Sequence, residues 1–409
     1  MPKQFDIPRA YRSDIIGAIK RKRAAADTRK DDLSASELDL GPVVFRVARF
    51  FGFCYGVENA IEIAYRALEE NPGKRIFLLS EMIHNPHVNA DLISRGVSFL
   101  QTAEGEQIVP FSELKKEDVV IVPAFGTTRE IFQQLEALGL NPQSYNATCP
   151  FVEKVWKRGR QLAAQGYSIV IHGKHTHEET RATFSQIRLD GPSVVVRDRD
   201  EAELLARYVR GEEPYDNFFE DFKGRYSQGF RVPEDLRKLG VVNQTTMLAE
   251  ETHEIARMMR QALVSRFGED ATAEHFADTR DTLCYATSEN QRSMRALLEH
   301  NADVAVVVGG YNSSNTSHLV ELCEGRIPVF YVKDADEILS KDSIRHLDLH
   351  KGVVVSDNWL PNKPKVEILV SAGASCPDAM VEAVLARIAG LFTGARDLRQ
   401  VAVGVAGLA

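Results

Sequence analysis

Long apolar segments are absent from this sequence. No run approaches the roughly 18 consecutive apolar residues that a membrane-spanning helix needs. The N-terminal region lacks the apolar core of a signal peptide, and its first 40 residues carry seven acidic side chains, whereas transit peptides are poor in acids. These absences predict a cytoplasmic protein without a membrane span.

An excess of positive charge is absent too. The 409-residue chain has 50 Lys and Arg against 58 Asp and Glu, a formal net charge of −8, which argues against a general nucleic-acid-binding role. The dense basic run "KRKR" at 20–23 is soon followed by acids. We therefore expect a solvated, partly helical N-terminal arm over residues 1–43.

Cysteine is scarce. The five cysteines are odd in number, spread over more than 300 residues and form no CxxC pair. This pattern excludes the disulfide framework of a small secreted domain and indicates a reducing compartment. Two of them, Cys323 and Cys376, are interpreted as small buried hydrophobic residues.

Short apolar runs alternate with helical patterns along the chain. Such alternation predicts an α/β fold with mostly parallel strands, in which functional loops follow the carboxyl ends of the strands. The predicted strands lie in "VVFRVARFF", "RIFLLSEMI", "DVVIVPAF", "YSIVIHG", "SVVVRD", "GVVNQTT", "DVAVVVGG", "IPVFYVKD" and "VEILVSAGAS".

The other three cysteines mark an internal repeat of architecture. Each precedes a helical pattern and then an apolar strand that ends in a polar loop. His84 follows Cys54 by 30 residues, His177 follows Cys149 by 28, and Ser313 follows Cys284 by 29. We expect three quasi-equivalent α/β domains packed as a trefoil around a pseudo-threefold axis.

The repeat gives the predicted domain boundaries. These are an N-terminal arm at 1–43, three α/β domains at 44–147, 148–279 and 280–387, and a C-terminal tail at 388–409. The second domain carries an insertion at about 207–240, which is aromatic, charged and expected to be a surface excursion.

Three converging thiols favour a metal centre. Zinc sites normally take four ligands, whereas a cubane iron–sulfur cluster takes one thiolate per iron. Cys54, Cys149 and Cys284 would leave one iron open to a substrate oxygen. Each thiol precedes a helix, whose dipole favours the thiolate.

Two polar loops carry candidate chemistry. In "HTHEET", His177 and Glu179 follow a strand, and a Glu in a closed pocket can have its pKa raised enough to donate a proton; a plain surface loop is the alternative. In "NSSNTSH", residues 313–315 could cradle phosphate oxygens, or Ser313 could simply cap a helix. Thr245 in "NQTT" and Ser375 in "SAGAS" are similar small polar loop ends.

From about Phe45 to Arg387, eight motifs occur together: "GFCYGV", "EMIHNP", "NATCP", "HGKHTHEET", "NQTT", "LCYAT", "NSSNTSHL" and "SAGASCPD". In this order they resemble the LytB family of 4-hydroxy-3-methylbut-2-enyl diphosphate reductases. The resemblance implies an oxidoreductase acting at the last step of the non-mevalonate isoprenoid pathway. Its products would be isopentenyl diphosphate and dimethylallyl diphosphate.

The resemblance also implies residue roles. Cys54, Cys149 and Cys284 match the ligands of a [4Fe–4S] cluster whose open iron binds the substrate hydroxyl. Glu179 matches the proton donor and Thr245 its hydrogen-bonding companion. Further matches in the substrate pocket are His84, His177, Ser313, Ser314, Asn315 and Ser375, of which His84 and the last four lie on the diphosphate side.

Two positions depart from the family pattern. Phe125 in "PAFGTT" stands where many bacterial members have a diphosphate-binding His, and Asn290 stands where an Arg is common. The "PAFG" form, the N-terminal arm and the insertion resemble the plant and cyanobacterial branch. This branch implies ferredoxin, with flavodoxin as the other carrier, as the electron donor.

Two other classes of function are compatible with the same cysteines. A non-enzymatic iron–sulfur sensor would need an output surface, and the sequence offers none. A zinc hydrolase using the cysteines with a histidine would contain zinc and no inorganic sulfide.

Overall fold

The computed structural model describes residues 5–270, 272–277 and 282–407. The chain forms two compact units. Unit 1 comprises Met1–Glu58, His84–Val88 and Tyr285–Ala409, and unit 2 comprises Asn59–Ile83 and Asn89–Cys284. The predicted boundary between residues 279 and 280, like the outermost residues of the arm and the tail, lies outside the described residues.

Helices and strands alternate along most of the described chain. The strands are β1 Ser36–Asp39, β2 Val43–Val47, β3 Ile76–Leu78, β4 Val97–Phe99, β5 Val119–Ile121, β6 Ser168–His172, β7 Ser193–Val196, β8 Leu239–Asn243, β9 Phe276–Ala277, β10 Val304–Val308, β11 Val329–Val332, β12 Ser343–Asp348, β13 Gly352–Asp357 and β14 Val366–Ala372. The α-helices are α1 Asp14–Ala26, α2 Tyr55–Glu70, α3 Pro86–Ser94, α4 Arg129–Ala137, α5 Pro150–Ala164, α6 Glu178–Arg188, α7 Arg199–Arg210, α8 Phe218–Asp221, α9 Ala249–Phe267, α10 Thr272–His275, α11 Tyr285–Leu297, α12 Ser314–Glu321, α13 Asp378–Ala389 and α14 Leu398–Ala406. All nine apolar runs contain a strand, and the α/β class is confirmed.

Unit 1 is built on a seven-stranded sheet with the order β1-β2-β14-β10-β11-β12-β13. The four central strands pair in parallel, and antiparallel strands flank them on both sides. The central strands β10 and β14 are almost wholly buried, as their continuous apolar sequences require. Their carboxyl ends are aligned, because Val308 pairs with Ala372.

The N-terminal arm is not solvated throughout. One face of α1 packs into the core of unit 1 through Ile15, Ile16 and Ile19, each at most 6% exposed. The same core contains Leu398 and Ala402 of the C-terminal tail. The expectation of a solvated arm is therefore wrong for this face, whose apolar residues recur at the three- to four-residue spacing of an amphipathic helix.

Unit 2 contains two parallel sheets. One has the order β4-β3-β5, and the other has the order β7-β6-β8-β9. In the second sheet, His172 at the end of β6 pairs with Asn243 at the end of β8. The loops that follow these two strands therefore leave the sheet side by side. The trefoil arrangement of three repeated domains stays a prediction.

The insertion at about 207–240 is not a simple surface excursion. Tyr208, Phe218 and Phe222 are fully buried, and Phe230 is nearly so. The rings of Phe218 and Phe230 stack with centroids 5.2 Å apart, and Tyr208 meets Phe218 edge-on at 5.3 Å. Four aromatic side chains in mutual contact bury a large apolar area, so the insertion extends the core of unit 2.

We expect Phe218→Ala to destabilise unit 2 by about 3–5 kcal/mol, because it leaves a cavity in this aromatic cluster. Urea unfolding followed through the fluorescence of Trp156, the tryptophan of unit 2, measures the loss. Phe219→Ala is the matched control, since its ring is 37% exposed and should cost on the order of 1 kcal/mol or less. Equal losses for both variants would contradict the packed insertion.

No helix within the described ranges is both long enough and apolar enough to span a membrane.

Candidate active site

The polar residues of unit 1 gather at the carboxyl ends of β10 and β14. Ser313 caps the N-terminus of α12, and its hydroxyl accepts a hydrogen bond from the Thr316 N–H. The Ser375 hydroxyl donates to the backbone carbonyl of His84 at 3.0 Å and lies 3.5 Å from the Ser313 hydroxyl. The parallel register thus brings the "NSSNTSH" and "SAGAS" loops together, as the strand-end rule predicts.

Asn315 links these two loops. Its side-chain oxygen accepts a hydrogen bond from the Ala374 N–H at 2.8 Å, and it is 97% buried. The Asn290 amide nitrogen lies 3.4 Å from the same oxygen. Asn290, which stands where an Arg is common in the family, therefore gives Asn315 a neutral partner. Ser314, the first residue of α12, is only partly buried.

His84 lies in the same part of unit 1 and is buried. Its backbone approaches the end of β10 so closely that a Cβ atom on Gly310 would sit 2.5 Å from the His84 carbonyl oxygen. The neighbouring Asn85 is fully buried and donates to the Ser375 carbonyl at 2.9 Å. Gly310 and Asn85 therefore position the His84 segment, and neither was identified from the sequence.

Cys54 is partly buried and belongs to unit 1. Its N–H donates to the Ala374 carbonyl at 3.2 Å, and its own carbonyl accepts from the Glu58 N–H at the start of α2. The cysteine is thus tied through the main chain to the loop that carries Ser375.

Glu179 and Thr245 form a buried pair in unit 2. The Thr245 N–H donates to one carboxylate oxygen of Glu179 at 2.6 Å, and the Thr245 hydroxyl is 2.9 Å from the other. Glu179 is 1% exposed. The loops after the paired ends of β6 and β8 create this contact, so the sequence placed both residues correctly at strand ends.

Gln244 supports the pair and was missed from the sequence. Its side-chain oxygen accepts from the Thr180 hydroxyl at 2.9 Å and from the Lys174 N–H at 3.2 Å. A Cβ atom on Gly173 would lie 2.6 Å from the Thr180 hydroxyl, so the glycine is required for this approach. The sequence did contain a signal for both residues. Gly173 in "HGK" and Gln244 in "NQTT" each come directly after a strand.

His177 caps the N-terminus of α6. Its Nδ1 accepts a hydrogen bond from the Glu179 N–H at 3.2 Å, which orients the ring. Phe125 meets this ring edge-on with centroids 5.7 Å apart. Phe125 therefore provides an apolar contact for His177.

Cys149 occupies the N-cap position of α5 without a side-chain capping hydrogen bond, and Pro150 is at the first helical position. It packs against Val152, Trp156 and Ala182, and burial raises the pKa of its thiol to about 12. The Cys284 thiol and the Glu179 carboxylate, both in unit 2, raise this pKa further. Hydrogen bonds from the Phe151 and Val152 N–H groups at the start of α5 lower this pKa, so the helix N-terminus acts in the expected direction and opposes burial.

Cys323 and Cys376 are completely buried in the core of unit 1, and burial raises the pKa of both thiols. The Cys323 thiol donates to the Leu319 carbonyl at 3.3 Å. Over the ranges that the structure covers, no three or more His, Cys, Asp and Glu side chains form a metal-sized group. The assignment of Cys54, Cys149 and Cys284 to one metal centre stays a prediction.

Polar side chains at the carboxyl ends of parallel strands are typical of α/β enzymes that bind small ligands. The chain belongs to the LytB protein family, whose model matches residues 45–389.

Cyanobacterial relatives share most of its length. One from Crocosphaera subtropica is 37% identical over 379 residues, which cover 92% of each chain, and one from a Picosynechococcus strain is 39% identical over 353 residues, which cover 86% of this chain and 85% of the relative. Both are 4-hydroxy-3-methylbut-2-enyl diphosphate reductases.

Solved structures resemble the chain as well. One is that of (E)-4-hydroxy-3-methyl-but-2-enyl diphosphate reductase, the terminal enzyme of the non-mevalonate pathway, with a TM-score of 0.51, 26% identity, and coverage of 84% of this chain and 98% of that chain. The other is the E-1-hydroxy-2-methyl-but-2-enyl-4-diphosphate reductase of Plasmodium falciparum, with a TM-score of 0.60, 21% identity, and coverage of 85% and 88%. At this lower identity the likeness concerns the fold alone.

Proposed function

We propose that the protein reduces (E)-4-hydroxy-3-methylbut-2-enyl diphosphate to isopentenyl diphosphate and dimethylallyl diphosphate. The reaction consumes two electrons and two protons and releases the hydroxyl group as water. Membership of the LytB family gives the reaction class. Within the structure, the buried Glu179–Thr245 pair is the observation that supports the proposal, because a buried, hydrogen-bonded carboxyl group is suited to act as a general acid.

We assign Cys54, Cys149 and Cys284 as ligands of a [4Fe–4S] cluster. The donor set fits this group in its chemistry, since soft thiolates hold iron in such clusters. It also fits in its environment: Cys149 is packed among apolar side chains and has a second thiol, Cys284, close enough to raise its pKa. When bound, the cluster would supply the electrons and a Lewis-acidic iron for C–O cleavage.

Glu179 acts as the proton donor in this proposal. Both of its carboxylate oxygens are held by Thr245, one by the backbone N–H and one by the hydroxyl. This fixes the carboxyl group in one orientation without side-chain reorganisation. Thr245 is in position to pass a proton onward through its hydroxyl, while His177 holds the first turn of α6 in place.

In this proposal, the diphosphate is bound by polar residues of unit 1, namely Ser313, Ser314, Asn315, Ser375 and His84. The hydroxyls of Ser313 and Ser375, 3.5 Å apart, both lie beside the N-terminus of α12, where the helix dipole favours an anion. Oriented neutral dipoles in a buried pocket can stabilise such a charge without a lysine or arginine. We further propose a ferredoxin or a flavodoxin as the electron donor and a cytoplasmic location.

Anaerobic turnover of the hydroxylated C5 diphosphate with a reduced viologen dye tests this function, together with iron and sulfide analysis of the purified protein. We expect both products and about four irons per chain, as a cubane requires. A protein that contains zinc and no sulfide would favour the zinc hydrolase instead. A loaded cluster without turnover would support the sensor hypothesis.

A further inference from the structure

Unit 1 contains a cavity of about 350 Å³ beside Cys54. The cysteine itself lines the cavity, so a group bound there would lie next to a proposed cluster ligand. Most of the wall is aromatic or cationic, with Lys20, Lys30, Arg49 and Phe50 among its side chains, and the acids among its described residues are Glu58 and Glu289. The "KRKR" run of the sequence contributes Lys20 through helix α1.

Arg49 is the unusual member of this wall. Its side chain stacks on the Phe50 ring at 4.5 Å, the residue is 6% exposed, and its Nε has no hydrogen-bond partner among the described residues. Burial lowers the pKa of this guanidinium, although Asp27, Asp32 and Glu289 act in the opposite direction. A buried cation without a hydrogen-bonded carboxylate is unfavourable on its own, so the site is suited to an incoming anion.

Lys30 holds a second cation over the same cavity. Its backbone has φ = 61°, a left-handed conformation that is uncommon for lysine. The Lys30 Nζ lies 2.7 Å from the Glu289 carboxylate and 5.2 Å from the centre of the Tyr285 ring. Lys20 is already paired, since its Nζ lies 2.5 Å from Asp378. Within the described part of the chain, Arg49 is thus the cation of this wall without an acidic side chain at hydrogen-bonding distance.

Two tyrosines of the cavity wall are exposed. Tyr55 is 36% exposed and Tyr285 is 37% exposed, and in the sequence each directly follows a cysteine assigned to the cluster. Tyrosine and arginine are enriched in protein–protein interfaces, where an anchor residue in a pocket contributes most of the affinity. An aromatic rim around a buried arginine therefore fits a protein partner better than a free ion.

We propose that this cavity and its rim form the docking site for an acidic one-electron-carrier protein, with a carboxylate of the carrier meeting Arg49. The inference rests on the proposed function, which needs an outside source of electrons. Each docking oxidises one carrier and delivers one electron. Two dockings supply two electrons to the substrate, which with two protons break its C–O bond, form a C–H bond and release the hydroxyl group as water. Docking against Cys54 keeps the path short, which matters because electron tunnelling weakens steeply with distance.

Unit 2 offers a competing basic surface. A groove of about 570 Å³ runs beside α5 and is lined by Lys157, Arg160 and Arg129. Arg129 is paired with Asp190 at 2.9 Å, as Lys20 and Lys30 are with their acids. Over its described residues, however, the groove wall reaches Thr148 and not a cysteine, and it holds no buried arginine like Arg49. These features favour the cavity of unit 1, and the groove provides the matched control.

The test compares Lys30→Glu and Arg49→Gln with Lys157→Glu, in cluster-loaded protein under anaerobic conditions. Calorimetric titration with an acidic [2Fe–2S] ferredoxin at low and high salt measures binding directly, and turnover measures KM for the ferredoxin. We expect both unit 1 variants to raise Kd and KM at least ten-fold and Lys30→Glu to flatten the salt dependence. Lys157→Glu should change Kd and KM less than two-fold.

Turnover driven by reduced viologen separates the docking site from the reaction itself. It should be unchanged in all three variants, whereas its absence from the unmodified protein would refute the proposed function and not the docking site. Since Arg49→Gln could disturb folding, Lys30→Glu decides the case by itself. Unchanged ferredoxin binding in Lys30→Glu, or an equal loss in Lys157→Glu, would overturn the proposal. A third result would also overturn the proposal: Arg49→Gln loses the binding of inorganic diphosphate but keeps the binding of ferredoxin. This result would indicate a site for small anions.

Discussion

Cys149→Ser is expected to lose the intact cluster and, with it, all turnover. A serine hydroxyl is a poor ligand for iron compared with a thiolate, and the cubane would lose one of its three protein anchors. The side chain is packed against Val152, Trp156 and Ala182, so no solvent ligand can easily take its place. The iron content measured under anaerobic conditions should fall from about four irons per chain to three or fewer. The inorganic sulfide content and the visible absorption of the cluster should decrease in parallel.

Cys323→Ser is the matched control for this prediction. Cys323 is fully buried and donates a hydrogen bond to the Leu319 carbonyl, which a serine hydroxyl can also do. This variant should therefore retain the iron content of the unmodified protein, even if it is less stable. A stable, fully loaded cluster in Cys149→Ser would remove this residue from the ligand set.

Glu179→Gln is expected to retain the cluster and to lower turnover by about 10²–10⁴-fold, the contribution typical of a positioned acid. The amide has nearly the same shape and can still accept the hydrogen bond from the Thr245 N–H. It cannot donate a proton as an acid, and its NH₂ group cannot accept from the Thr245 hydroxyl. Viologen-driven turnover together with iron content separates this chemical loss from a loss of cluster.

Glu178→Gln controls for the change of charge at the start of α6. Glu178 is also buried, but it lines a cavity of unit 2 together with Arg181, and Glu179 is not part of that lining. We expect its turnover to stay within a few-fold of the unmodified protein. Near-normal turnover in Glu179→Gln, or an equal loss in both variants, would exclude Glu179 as the specific proton donor.

The strand pattern was readable from the sequence because the central strands are buried on both faces. Continuous apolar runs such as Val304–Val308 have few alternatives to a parallel strand. The β12–β13 hairpin was not predicted, since Val353 and Val355 are each 56% exposed and the pairing depends on partners elsewhere in the sheet. Edge strands of this kind are set by tertiary context more than by their own residues.

Burial of two segments, the N-terminal arm and the insertion at about 207–240, was underestimated from the sequence for a related reason. The charges of "KRKR" concealed the apolar face of α1, and the charged residues of the insertion concealed an aromatic cluster. In both segments the apolar minority determines the packing, because it faces the core while the charges face solvent.

The sequence predicted which loops carry the candidate site residues, but it did not predict the contacts among their side chains. The strand-end rule placed Glu179, Thr245, Ser313 and Ser375 at neighbouring loop ends, and the parallel registers explain why they meet in pairs. The supporting residues Gln244, Asn85 and Gly310 could not be inferred, since their roles depend on distances set by packing. Phe125 stands where many bacterial members of the family have a His, and the structure shows that its ring contacts His177.

The order of strands in unit 1 has a consequence for biosynthesis. The strand β2 pairs with β14, which begins more than 300 residues later, so the sheet cannot close until the ribosome has made β14. Most of unit 2, in contrast, lies in the single stretch Asn89–Cys284 and can fold as it emerges. The β2 edge that pairs with β14 and the apolar face of α1 must meanwhile remain without these partners.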